Sequence, residues 1–189
     1  MRIVGGKHRG RRLSAPDGMD GLDIRPTSDR AREALFNILS HGDYDGLPAN
    51  CPMDYQVLDA FAGTGALGLE ALSRGAAGVC FIEQNKTAAR RIQEMADDLG
   101  EEVTILNRDA TQPGRAPNSF ALLLMDAPYR TGQSEPSLLA LAEGGWLATG
   151  CICCVELAKK EHFQAGAGFT VLDERTYGAA RIVILRWGG

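Results

Sequence analysis

Asp126-Ala-Pro-Tyr129 follows an uninterrupted apolar stretch, Phe120–Met125. Such a stretch reads as a strand buried on both faces, which puts the tetrapeptide where that strand opens into a loop. Its residue types suit transfer of a group to an aromatic amine. The lone pair of such a nitrogen is delocalised into its ring, so the amine is a poor nucleophile. Two acceptors aimed at its hydrogens favour the pyramidal nitrogen of the transition state. The Asp126 carboxylate and the backbone carbonyl of Ala127 can be those acceptors. Pro128 stiffens the turn, and Tyr129 offers a ring on which an extruded base stacks. The blander reading is a strand-end turn with a buried tyrosine; the order of the motifs upstream argues against it.

The first of these is Asp59-Ala-Phe-Ala-Gly-Thr-Gly-Ala-Leu-Gly68, where a strand turns into a helix. Gly63, Gly65 and Gly68 form a literal G-x-G-x-x-G, which lets the backbone approach a bound nucleoside closely. The glycines alone do not choose a cofactor. A nicotinamide dinucleotide would set its pyrophosphate on the helix N-terminus. S-adenosylmethionine has no phosphate but has an ammonium that needs a carboxylate, and Asp59 supplies one, directly or through water. Loop capping is the alternative role for Asp59. Glu83 ends the second expected strand, where a carboxylate accepts both ribose hydroxyls. Asp109, in Asn107-Arg-Asp-Ala-Thr111, follows the third and is placed to accept from an adenine amino group, although aspartate is also a common turn residue there. An oxidoreductase would leave Asp126–Tyr129 without a role. The ordered series Asp59, Glu83, Asp109, Asp126 therefore predicts a methyltransferase that uses S-adenosylmethionine.

The elements needed to position these residues are present. Strands are expected at Gln56–Phe61, Val79–Glu83, Val103–Leu106, Phe120–Met125 and Cys151–Val155, with a final antiparallel pair at Phe169–Glu174 and Ala180–Trp187. Helices are expected at Ala66–Arg74, Lys86–Leu99 and Pro136–Leu147. A further helix opens at Arg25-Pro-Thr-Ser-Asp29, with Thr27 or Ser28 as N-cap and a stripe of Ala31, Ala34, Leu35, Ile38 and Leu39. Glycines at 5, 6 and 10 separate Met1–Val4 from Arg11–Leu13, a short hairpin. Repeated βα units imply a mainly parallel sheet covered on both faces. The expected fold is α/β: a Rossmann-like class I S-adenosylmethionine-dependent methyltransferase with a seven-stranded sheet and a small N-terminal extension.

Charge is unevenly distributed. Residues 1–12 contain Arg2, Lys7, Arg9, Arg11 and Arg12 and no acid, so they carry +5; the chain as a whole is −4, which leaves −9 for the remainder. A basic arm on an acidic body suits a polyanion, and a solvated tail is the alternative. No apolar run is long enough for a membrane helix, and the N-terminus lacks a secretory pattern, so a cytoplasmic location is expected; the chain is also expected to act as a monomer. Five cysteines include Cys151, Cys153 and Cys154. They lie in an apolar strand without a second ligand pair at zinc spacing, so free buried thiols are expected and no metal.

Over nearly its whole length the sequence resembles the bacterial RsmD-type methyltransferases, which act on guanine N2 of 16S ribosomal RNA. The specific resemblance lies in Arg2-Ile-Val-Gly-Gly-Lys-His-Arg-Gly-Arg-Arg-Leu13 and Arg25-Pro-Thr-Ser-Asp-Arg-Ala-Arg-Glu-Ala-Leu-Phe-Asn-Ile-Leu39, and continues through Leu58–Ala76 and Asp126–Tyr129. It implies a small-subunit assembly intermediate as substrate. Residues 1–40 would be a basic hairpin and helix contacting RNA phosphates through Lys7, Arg9, Arg11, Arg12, Arg25, Arg30 and Arg32, and residues 54–189 the methyltransferase domain. One residue departs from the family pattern: Ala127 stands where the family has proline. The acceptor there is a backbone carbonyl, which alanine retains. A DNA adenine-N6 or protein-glutamine methyltransferase would share Asp126–Tyr129, but the basic arm disfavours a protein substrate and the chain has little room for a DNA-reading domain. A non-catalytic RNA-binding relative is the remaining alternative.

Overall fold

Apolar strands alternate with amphipathic helices to build one layered α/β unit. The computed structural model describes residues 1–13, 29–42 and 50–189. In chain order the elements are α1 (Asp29–His41), β1 (Gln56–Ala60), α2 (Ala66–Ser73), β2 (Gly78–Ile82), α3 (Lys86–Leu99), β3 (Thr104–Leu106), β4 (Phe120–Asp126), α4 (Ser134–Glu143), β5 (Leu147–Ala158), β6 (Phe169–Tyr177) and β7 (Ala180–Trp187). Arg25 and the expected N-caps of α1, Thr27 and Ser28, lie outside the described residues.

The strand order is β3-β2-β1-β4-β5-β7-β6. β1 through β5 pair in parallel, and β7 runs antiparallel between β5 and β6. The fold is thus the Rossmann-like class I methyltransferase fold. Its order reverses at β1, between β2 and β4, and the crevice outside the carboxyl ends of the strands at such a reversal is where open α/β sheets bind ligands.

Side-chain alternation divides the core between the two faces of the sheet. Leu122 and Leu124 of β4 join Leu35, Leu67 and Ile92 from α1, α2 and α3. Leu123 and Met125 point the other way, onto Leu138 and Leu141 of α4. The cysteines follow the same rule, Cys151 and Cys153 on the α4 face and Cys154 on the opposite one. All five cysteines are free and buried. No helix among the described residues is long and apolar enough to cross a membrane.

The boundary between α4 and β5 differs from expectation. The helix stops at Glu143, and Leu147 already belongs to β5. Gly145 turns the chain at φ 79°, and Trp146 swings into the core, its Nε1 donating to the Gly114 carbonyl at 2.8 Å. The Phe120 N–H then captures the Trp146 carbonyl at 2.8 Å, drawing the segment onto β4.

The N-terminal hairpin forms, with Arg2 bridged to Arg12 and the Ile3 N–H bonded to the Arg11 carbonyl at 2.9 Å. Ile3 and Leu13 share the core of α1 and α2. The turn of the hairpin docks on the far ends of two helices. The Lys7 N–H donates to the Ser73 carbonyl at 2.7 Å, the His8 N–H to the Ser73 hydroxyl at 2.9 Å, and the Arg11 guanidinium to the Asp98 carbonyl at 2.9 Å. Partial burial pushes the Glu101 carboxyl up, but hydrogen bonds from Lys7 and His8 outweigh it and leave the group lowered.

Candidate active site

A cleft of about 1190 Å³ opens at the carboxyl ends of β1, β2, β4 and β5. Small-molecule pockets usually span roughly 300–1,000 Å³, so this one has room for more than one ligand group. Its two halves differ in chemistry. Asp59, Gly63, Thr64 and Glu83 line the first half; Asp126, Ala127, Pro128 and Tyr129 line the second.

In the first half the β1–α2 turn fixes the carboxylates. Asp59 is 1% exposed, and its Oδ2 accepts the Gly68 N–H at 2.8 Å. It therefore caps the first turn of α2 and lines the cleft as well. Burial drives its carboxyl well above the usual range; the Gly68 hydrogen bond opposes this, and Asp126 and Glu83 nearby add to it. Glu83 is also buried. Its Oε2 accepts from the Gly63 N–H at 2.7 Å and its Oε1 from the Asn85 N–H at 2.6 Å, which joins the ends of β1 and β2. Gly65 adopts φ 72° at the N-cap of α2. Gly68 has no space for a side chain, since a Cβ there would lie 2.3 Å from the Phe81 ring. These two glycines shape the turn without lining the cleft, whereas Gly63 lines it.

Asp109 is not brought into the cleft. It is exposed, and its Oδ1 accepts from both the N–H and the hydroxyl of Thr111 at 2.8 Å. The turn-forming role has taken this carboxylate, and its neighbours Arg108 and Ala110 line the wall instead.

The second half is assembled by β4 and β5. Register pairs Asp126 with Glu156. The Tyr129 hydroxyl donates to Glu156 Oε1 at 2.5 Å, which tethers the half-buried tyrosine to β5. Ala127 is buried and Pro128 exposed. Sequence reasoning passed over Glu156, although a lone acid closing the apolar run Cys151-Ile-Cys-Cys-Val-Glu156 was a visible sign of a buried polar partnership.

This geometry has counterparts. The family described as "Conserved hypothetical protein 95" matches residues 1–186. The "Ribosomal RNA small subunit methyltransferase D" of Escherichia coli K12 is 39% identical over 161 residues, covering 82% of this chain and 74% of that protein. The protein of the same name from Haemophilus influenzae is 32% identical and covers 94% of this chain and 89% of its own. The chain belongs to the RsmD methyltransferase family. Among solved structures, the E. coli "Putative methyltransferase yhhF" superposes with a TM-score of 0.83 at 32% identity, over 100% of this chain and 98% of that one. A "putative RNA methyltransferase" from Pyrococcus horikoshii, with a TM-score of 0.63 at 19% identity over 82% of each chain, shares the fold.

For this RsmD-family chain the cations expected on RNA separate into different groups. Lys7, Arg9, Arg11, Arg12 and Arg30 are exposed. Arg32 is not, and its assignment as a phosphate contact is corrected. It is 0% exposed, donates to the Arg2 carbonyl and to Asp29, and lies 3.5 Å from Glu70, which is equally buried. Glu70 in turn accepts the Val4 N–H at 2.8 Å and pairs with Arg74 at 2.8 Å. Arg32 therefore ties the hairpin and α1 to α2.

Proposed function

We propose that this methyltransferase uses S-adenosylmethionine to methylate the exocyclic N2 of a guanine in small-subunit (16S) ribosomal RNA, presented in an assembly intermediate. The observation that carries the reading is the shared cleft, with Asp59 and Glu83 in one half and Asp126–Tyr129 in the other. The first half suits the cofactor. Asp59 is a buried carboxylate whose charge has no cation among its described partners, and the ammonium of the methionine moiety would compensate it. Glu83 would hold the ribose, and Gly63 lets the backbone come close. S-adenosylmethionine, when bound, supplies an electrophilic methyl group.

The chain's own residues would do the rest. An extruded guanine stacks on the Tyr129 ring. The Asp126 carboxylate accepts one hydrogen of its amino group and the Ala127 carbonyl the other, which localises the lone pair on nitrogen. Asp126 is then placed to take the proton as the nitrogen becomes substituted. Rate would arise mainly from orientation of the amine against the methyl donor in the cleft. The exposed cations of the arm, Lys7, Arg9, Arg11 and Arg12, would contact RNA phosphates away from the target base, because the arm docks at the opposite edge of the sheet.

The test uses small-subunit particles from a strain lacking the enzyme, methylated in vitro with labelled cofactor and digested to nucleosides. N2-methylguanosine is the expected product. Label in N6-methyladenosine, or activity on DNA in place of RNA, overturns the substrate assignment.

A further inference from the structure

The mouth of the cleft carries a group of cations that the reading above does not use. Arg130 follows Tyr129 directly, and Lys159 and Lys160 follow β5; all three line the cleft and all are exposed. Among the described residues none of the three forms an ion pair. The two loops are held together by Glu161, whose Oε2 accepts from the Ala158 N–H at 3.1 Å and the Arg130 N–H at 3.3 Å. Of the acids lining the cleft, Asp59 and Glu83 are buried and Asp126 is half-buried, and Glu161, also half-buried, turns its Oε2 to the backbone N–H groups of Ala158 and Arg130.

Two further features set these cations apart. Arg130 holds a left-handed backbone, φ 61°. A large side chain there is disfavoured relative to glycine, so a loop shaped only for turning has no need of arginine. Secondly, the basic arm cannot do this job. It docks at the end of α3, and a helix of 14 residues separates it from the cleft by about 21 Å at 1.5 Å per residue.

We infer that Arg130, Lys159 and Lys160 form a phosphate-binding lip that holds the RNA backbone on either side of the nucleotide entering the cleft. The inference rests on the proposed RNA substrate. A base drawn into the second half of the cleft brings its flanking phosphodiesters to the rim, where three cations stand above Asp126 and Tyr129. The arm and the lip then grip different stretches of one RNA.

The experiment measures RNA affinity against salt for the full chain saturated with S-adenosylhomocysteine, on a single-stranded RNA of a few nucleotides and on a long small-subunit fragment. Each phosphate contact on a single strand contributes about 0.7 to the slope of log affinity against log salt. Combined Arg130→Gly, Lys159→Ala and Lys160→Ala should lower the slope by about 2 on both RNAs. Replacing Lys7, Arg9, Arg11 and Arg12 by alanine should lower it on the long RNA only. If the triple variant folds poorly, Arg130→Gly alone decides, since glycine fits the φ and should keep the melting temperature while lowering the slope by about 0.7. An unchanged slope on the short RNA overturns the lip. Methyl transfer by the parent with a lip-independent slope removes the lip and leaves the reaction standing. A lip-dependent slope without transfer to RNA supports the lip and removes the reaction. No RNA binding at all removes both.

Discussion

Replacing Tyr129 by Phe separates what its ring does from what its hydroxyl does. The ring survives, so stacking of a base, about 1–3 kcal/mol, should survive with it. The hydroxyl's 2.5 Å hydrogen bond to Glu156 is lost. Glu156 is 7% exposed, and hydrogen bonds to charged groups contribute roughly 1.5–3 kcal/mol. Tyr129 is only half-buried, which favours the lower part of that range. At about 2–4 °C per kcal/mol for a chain of this size, the melting temperature should fall by roughly 3–8 °C. The ring also loses its tether. A displacement of 1 Å costs on the order of 10²-fold in rate, and a loosened ring should cost less, roughly 10-fold in single-turnover methylation of a small-subunit particle. From the sequence alone the change looks mild, and Glu156 is the reason to expect otherwise. Glu156→Gln keeps an acceptor for the hydroxyl and should be the milder single change. A double-mutant cycle should give a coupling above about 0.5 kcal/mol. Parent-like melting and turnover in Tyr129→Phe, with additive effects in the cycle, would refute the argument and leave the ring as the whole of the tyrosine's contribution.

Asp126→Ala removes an acceptor that strengthens as the amine becomes pyramidal, so single-turnover rate should fall about 10²–10³-fold with cofactor affinity nearly unchanged; near-normal turnover would remove the amine-orienting role. Asp59→Asn should weaken S-adenosylhomocysteine about 10–100-fold in calorimetry, the loss of a charge-assisted contact. Burial raises the Asp59 carboxyl in the folded state, against the Gly68 hydrogen bond and with Asp126 and Glu83 adding to the rise, so the native protein binds this proton more tightly than the unfolded chain does. Its stabilising effect is complete below about pH 4, the ordinary carboxylate value, and is lost as pH climbs through the raised one. Asp59→Asn should therefore gain stability over the parent as pH rises from 4, and parallel stability–pH curves would contradict this. Arg32→Met removes one of the two cations beside the buried Glu70, which keeps Arg74, so the loss should stay below the about 3–5 kcal/mol of an uncompensated buried charge; a parent-like melting temperature with a reduced salt slope on RNA would restore Arg32 to the surface.

What the sequence disclosed depended on how local the deciding interaction was. β4 and the turn after β1 were legible because continuous apolar runs and glycine spacing are properties of a few adjacent residues. The end of α4 was not. Ser134–Leu147 has an apolar pattern that suits helix or strand, and the choice is made by Trp146 reaching Gly114 and by β4 drawing Leu147 into register. Arg32 was misread for a similar reason. A guanidinium on an amphipathic helix is normally exposed, and here the Arg2 carbonyl, Asp29 and Glu70 from α2 together make its burial tolerable. The signal for that pairing was present on the partner: Glu70 is the sole charge in Ala66–Ser73, a helix buried at every residue. Glu156 is the sole charge in β5, and it too holds a side chain from another loop. A single charge inside an apolar run asks for a partner elsewhere in the chain, and in both cases the partner had been assigned a functional role without it. The position of the arm follows the same logic. Alternating strands and helices require α2 and α3 to end away from the cleft, and contacts distant in sequence put the hairpin there: Ile3 and Leu13 in the core, Val4 on Glu70, and Lys7, His8 and Arg11 on Ser73, Asp98 and Glu101. With the arm at that edge, a phosphate contact next to the target nucleotide has to come from residues beside the cleft, and Arg130, Lys159 and Lys160 are the exposed cations on its substrate half.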